Sequence, residues 1–214
     1  LLGPHVKFFC LSYGANLAEE IAVKMRRLVM GEWYQSHWGK QVQILADQAS
    51  RANFGNTAGG ERLSNSIEGG ILGRGGDVQL IDDPHSTKGV ESLLMRQSTI
   101  DGMRSLSTRI TDPRRFARVL VMQRLHQTDA TDYALKNWGD DAVHLMFPMR
   151  FDTGRACFAD IRKREGELLW PKVFTETAVS QIEKELLEYG TAGQLAQSPI
   201  PRGGGIIKRE WLQP

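Results

Sequence analysis

The sequence predicts an α/β protein built on a mostly parallel, doubly wound sheet, with antiparallel additions at one edge. Three observations predict it. Apolar runs at 6–11, 78–81 and 119–122 read as buried strands, because a strand covered on both faces keeps no polar alternation. Segments with helical spacing of apolar residues separate such runs, the alternation that parallel sheets require. Between them, short extended candidates at 42–45, 52–54 and 63–67 are divided by Gly, Asn and Ser, which suggests a β-meander at the sheet margin.

Taken in order, the run at 6–11 is broken only by Lys7, and Ser12-Tyr13-Gly14 turns the chain. Asn16 with Glu19 has the pattern of a capping box. The helix behind it places Leu17, Ile21, Met25 and Leu28 on one face and stops at Gly31. Trp33, Tyr34 and Trp38 follow in a predicted loop, as packing anchors rather than platforms for nucleic acid. Residues 86–106 read as a helix with Val90, Leu93, Leu94, Met103 and Leu106 as its apolar positions. Asp112-Pro113 ends that connection, and Arg114, Arg115 and Arg118 lead to the strand at 119–122, with Gln123 and Arg124 at its tip. Asp129 caps a short helix to Asn137, ended by Gly139, and 143–147 is a further strand stopped by Pro148. Residues 150–172 are irregular, with Arg162-Lys163-Arg164-Glu165 as a solvated charge run. An amphipathic helix over 175–189 turns Val179, Ile182 and Leu186 inward and ends at Gly190; from Ser198 the chain reads as a linker.

At 214 residues the chain holds one sizeable domain, or a domain with a tail. Its 41% hydrophobic and 24% charged content is that of a globular protein, and a net charge of +2 decides little about partners. The two cysteines, Cys10 and Cys157, have no metal-type spacing, so reduced thiols in an intracellular setting are expected. No signal peptide and no apolar run of spanning length occurs. Leu1 opens directly into apolar sequence, and the chain is expected to be a piece of something longer.

Residues 69–85 carry the chemistry. A glycine-rich loop with one arginine, Arg74, leads into the run 78–81, which ends on Asp82 and Asp83 before Pro84. A buried strand that delivers two carboxylates to its C-terminal tip is a Walker B arrangement. Strand tips of an open parallel sheet line the ligand crevice, Mg²⁺ on a triphosphate needs hard oxygen ligands, and a second acid orients the attacking water. The plainer alternative is a strand that ends in an Asp-Asp-Pro turn.

Residues 11–13 before the first helix, the glycine–arginine loop with Asp77, residues 80–85, and 121–126 with Asp129 occur together in order. So do residues 193–199, the glycines 203–205 with Ile206, and Trp211. As a set they resemble the ATPase domain of the tailed-phage terminase large subunit over essentially the whole chain. The resemblance implies a P-loop NTPase fold of the ASCE type, here without its phosphate-loop part, over 1–198. Residues 199–214 then form the linker and the start of a nuclease domain. It implies ATP and Mg²⁺ as cofactors, with double-stranded DNA, the portal protein and the small terminase subunit as partners. The implied state is a homo-oligomeric ring on a procapsid in the host cytoplasm, with no membrane association. No Gly-x-x-x-x-Gly-Lys-Ser/Thr pattern occurs in the sequence, so this segment alone is expected to be incompetent. The family's acidic pair is often Asp-Glu where this chain has Asp82-Asp83. A helicase-type translocase and a non-catalytic prophage remnant are the other readings.

Within that resemblance Asp82 is the Mg²⁺ ligand, through a coordinated water, and Asp83 the base that orients water. Arg74 is an arginine finger for a neighbouring subunit, or else a loop cation or DNA contact. Gln123 senses the γ-phosphate, or simply makes a strand-end hydrogen bond. Arg51 and Arg62 flank the meander as contacts for DNA phosphates, or as solvated surface.

Overall fold

The structure, a computed structural model, describes residues 3–46, 50–69, 73 and 75–202. The chain divides into two compact units, Leu1–Met122 and Gln123–Pro214, whereas the sequence reading places no boundary before 198.

The first unit is α/β. Its sheet consists of β1 (Lys7–Ser12), β2 (Phe54–Gly55), β3 (Glu61–Ser66), β4 (Val78–Asp82) and β5 (Ala117–Val121), in the order β2-β3-β1-β4-β5. β1 pairs in parallel with both β3 and β4, and β4 in parallel with β5. Only β2 is antiparallel, at the margin beside β3, continued by an Ile44–Asn56 bridge. The expected class is therefore present, and so are the antiparallel edge additions: Ile44 bridges Asn56 and β2 pairs β3, both antiparallel, while β3 continues in parallel beside β1. Two helices, α1 (Ala15–Met30) and α2 (Glu32–Trp38), lie between β1 and β3; a connection of that length returns the chain as a parallel strand.

Side chains alternate across the sheet, so the register sorts them into two faces. Arg62, Cys10 and Asp82 share one face, and α1 covers its β3–β1 half: Arg62 Nη1 reaches Met25 Sδ at 3.0 Å. The helix buries Ala18 and Ala22, while Met25 and Leu28 of the predicted stripe are exposed. Small side chains let the helix backbone lie close to the strands. The expected capping box does not form, since Gly14 is the N-cap and Asn16 lies inside the helix; Gly31 ends it as predicted. Trp33, Tyr34 and Trp38 belong to α2 rather than to a loop, and their rings pack on one another.

The other face carries Phe9, Leu11, Gln79 and Ile81, all essentially inaccessible. α3 (Leu93–Ser105) serves this face with Ile100 and Met103, followed by Leu106. It starts later than predicted because Ser92 caps it, accepting from the Met95 amide, and Leu93 and Leu94 are exposed. Gln79 is a fully buried polar side chain in this layer. Its Nε2 donates to the carbonyls of Leu106 (2.9 Å) and Arg109 (3.1 Å), and its Oε1 accepts from Arg118 Nε (2.9 Å). β5 is the outer strand, with Val119 and Val121 41% and 53% exposed, so the run expected to be buried stands at a margin.

In the second unit, α4 (Ala130–Asn137) is capped by Asp129 as predicted, and α5 (Glu176–Gly190) by Thr175 with Val179 buried inward. Residues 143–147 form no strand, and Val143 and Leu145 are exposed. The charge run is not uniformly solvated. Arg162 is buried against Asp160 (2.7 Å) and donates to the carbonyls of Met149 and Glu167. Hydrogen bonding from this guanidinium holds the Asp160 carboxyl below its ordinary range.

Gln79→Leu is expected to destabilise the first unit by about 1–3 kcal/mol, because it strands buried groups that Gln79 satisfies. A urea midpoint equal to that of the wild type would contradict this.

Candidate active site

The acidic pair stands at the end of an interior strand. β4 is held by β1 on one side and β5 on the other, and Asp82 is in register with Val121. The hydrogen bonding continues one residue beyond the strand. The Asp83 amide donates to the Val121 carbonyl at 2.9 Å, and the Asp83 carbonyl accepts from the Tyr13 amide at 3.1 Å. Both neighbours thus grip the backbone of Asp83.

Asp83 nevertheless has φ 41°, in the left-handed region. Aspartate visits that region more readily than most residues, at a cost of roughly 1–2 kcal/mol. The flanking backbone bonds and the burial of Pro84 and His85 hold it there. The plainer reading, a turn, is therefore real at Asp83. An enforced backbone outlier beside a second carboxylate is also the kind of strain that collects at functional sites. Asp82 is half-buried and Asp83 exposed. The Asp82 charge reaches back along its face: the Cys10 thiol is pushed up first by burial, lowered by Arg62 and raised again by Asp82.

The tips of β1 and β3 lie alongside. Ser12, buried, donates its hydroxyl to the Gly14 carbonyl at 3.0 Å, and the Ile67 amide donates to the Ser12 carbonyl at 2.8 Å. The glycine-rich segment leaves from this end, where Asn65 Nδ2 donates to the Gly69 carbonyl. It arrives at the opposite end: the Asp77 amide donates to the Lys7 carbonyl, and Asp77 Oδ2 accepts from the Lys7 amide, both at 2.9 Å. A Cβ on Gly75 would meet the Arg109 carbonyl oxygen at 2.7 Å, and one on Gly76 the Lys7 carbonyl oxygen at 2.8 Å. These two glycines are required by close backbone approach.

Arg74 lies outside the described residues. Gln123 is exposed and opens the second unit. Arg51 is an exposed surface cation paired with Glu19 at 2.6 Å. Arg62 departs from the expectation of a surface phosphate contact, because it is 4% exposed beneath α1; position 2 of β3 turns it onto the helix-covered face. In the second unit, the half-buried Arg124 pairs with the buried Asp129 at 3.0 Å, and Asp129 also accepts from the amides of Leu125 and Asp132. The Gln-Arg-Leu-His segment thus contains a structural knot as well as its polar strand-end residue. Sequence reasoning missed Gln79, whose only signal was a polar residue inside an apolar run.

No protein-family model matches the chain, and no curated protein matches it. Among the described residues, no helix is long and apolar enough to cross a membrane.

Because the backbone at Asp83 is left-handed, Asp83→Asn is expected to change stability by less than about 0.5 kcal/mol, whereas Asp83→Val costs about 1–2 kcal/mol. Thermal melts of the two variants check this, and equal melting points would contradict it.

Proposed function

We propose that this chain is the ATPase part of a tailed-phage terminase large subunit, a motor that drives double-stranded DNA into a procapsid. The observation that carries the reading is the acidic pair at the C-terminal tip of an interior parallel strand, with Asp83 gripped by the strands on both sides. Ligand crevices of open α/β sheets lie at such tips. The sequence motifs that resemble the family in order add to it.

Two adjacent carboxylates at an open strand end suit Mg²⁺, which takes one or two carboxylates and completes its shell with water and phosphate oxygens. Mg²⁺, when bound, neutralises charge on the transferring phosphoryl group. In this reading Asp82 holds the ion through a coordinated water, and Asp83 orients the attacking water and accepts its proton. A carboxylate on a backbone fixed from both sides needs no rearrangement to do so. Gln123 responds to the γ-phosphate, and Arg74 neutralises developing charge in a neighbouring subunit of a ring. The reading also requires a phosphate-binding loop from outside these 214 residues. The β5 margin, with Val119 and Val121 exposed, has room for a further strand. Portal protein, small terminase subunit and DNA are the partners it entails, in the host cytoplasm.

In a preparation that includes the phosphate loop, Asp83→Asn is expected to bind ATP nearly as the wild type does and to lose turnover. Asp82→Asn is expected to lose Mg²⁺-dependent binding as well. Equal losses of binding in both would contradict the division of roles, and unimpaired turnover in both would end the ATPase reading. Arg74→Ala subunits are expected to be inactive alone and to regain phosphate release when mixed with Asp83→Asn subunits. Assembled mixed rings without recovery would contradict a finger acting between subunits.

A further inference from the structure

A cavity of about 480 Å³ opens between α1, α2 and the N-terminal ends of β1 and β3. Its walls are Val6, Phe8, Val29 and Phe54, closed on one side by Tyr34 and Trp38, whose ring centroids lie 4.9 Å apart. Arg62 and Glu61 are the charged residues that line it, with Gln41 and Asn56 as polar neighbours. Arg62 is 4% exposed, and its Nε is buried without a hydrogen-bond partner. Its Nη1 faces only sulfur, Cys10 Sγ at 2.7 Å and Met25 Sδ at 3.0 Å. Sulfur is a weak acceptor. Among the described residues no carboxylate pairs with this guanidinium. Glu61 also borders the cavity, but the alternation of the strand turns its carboxylate to the opposite face, where it meets Lys7 at 3.8 Å. Ser64, two residues on and on the same face as Arg62, has a second buried Oγ without a partner.

A buried cation without a counter-charge is costly, and proteins keep one where something else supplies the charge. A cavity of this size with mainly apolar and aromatic walls and a few polar groups is the usual form of a small-molecule site. We propose that this cavity binds a small anionic ligand with a flat aromatic body: the ring system lies against Tyr34, Trp38 and Phe54, and its carboxylate or phosphate takes the Arg62 guanidinium. A planar guanidinium fork matches either headgroup. The site is distinct from the acidic pair. Phe8 is in register with Val78, the first residue of β4, and Asp82 is its last; the two sites occupy opposite ends of the parallel strands. Nothing in this assignment depends on the ATPase reading.

Calorimetric titration of the 214-residue chain with 2-naphthoate, 2-naphthyl phosphate and the neutral 2-naphthalenemethanol tests it. One saturable site is expected, with at least one anion bound roughly tenfold or more tightly than the alcohol, the effect of a charged hydrogen bond. The tighter of the two anions identifies the headgroup. Arg62→Met is expected to erase the preference for the anion while leaving weak aromatic binding, and Val29→Trp, which fills the cavity with the charge intact, to remove binding of all three. Equal affinity for the alcohol and both anions, or no saturable binding of any probe to the wild-type chain, overturns the proposal without recourse to a variant. Wild-type affinity for the anions in Val29→Trp or Arg62→Met overturns it as well.

Discussion

The parallel pairing of β4 between β1 and β5 is the constraint on which the first unit depends. It fixes which side chains face which helix. It also carries the hydrogen-bond ladder one residue past the strand, to Asp83. A slip of one residue would exchange the two faces, moving Gln79 out of its three hydrogen bonds and Asp82 off the face it shares with Cys10. The same pairing operates at the start of the strand, where Gly75 and Gly76 pass so close to the carbonyls of Arg109 and Lys7 that no Cβ fits. Loop chemistry, core polarity and the acidic tip are therefore consequences of one register.

The two faces of the sheet are finished differently. The α3 face is packed tightly, with Phe9, Leu11 and Ile81 inaccessible and Gln79 as a satisfied polar tie to β5 and to the chain beyond α3. The α1 face is covered over β3 and β1 by a helix that presents alanines, and it ends at exposed valines on β5. On that second face lie both features that call for a ligand. At one end are carboxylates on a clamped, left-handed turn; at the other is a buried guanidinium whose near neighbours are sulfur atoms.

The sequence makes the α/β class legible through its apolar runs, and the acidic tip through Asp82-Asp83-Pro84. Asp129 and Thr175, as helix caps, are also readable locally, because a cap depends on three or four consecutive residues. What escapes is set by distant partners. That the run around Val119 lies at a margin depends on what pairs beside it. That Arg62 lies under a helix depends on the direction in which β3 enters the sheet. Arg162 looked solvated among other charges, yet a single acid two residues earlier and two carbonyls draw it inside.

The central claim, that the tip of β4 is a metal–nucleotide site, is tested most directly by placing the ion. Mn²⁺ substitutes for Mg²⁺ at oxygen ligands and broadens nuclear resonances close to it. In a preparation that carries the phosphate loop, with a non-hydrolysable ATP analogue present, substoichiometric Mn²⁺ is expected to erase the amide signals of Tyr13, Asp82 and Asp83 before those of the other acidic surface residues. Broadening that begins elsewhere, with these three signals intact, would contradict the account.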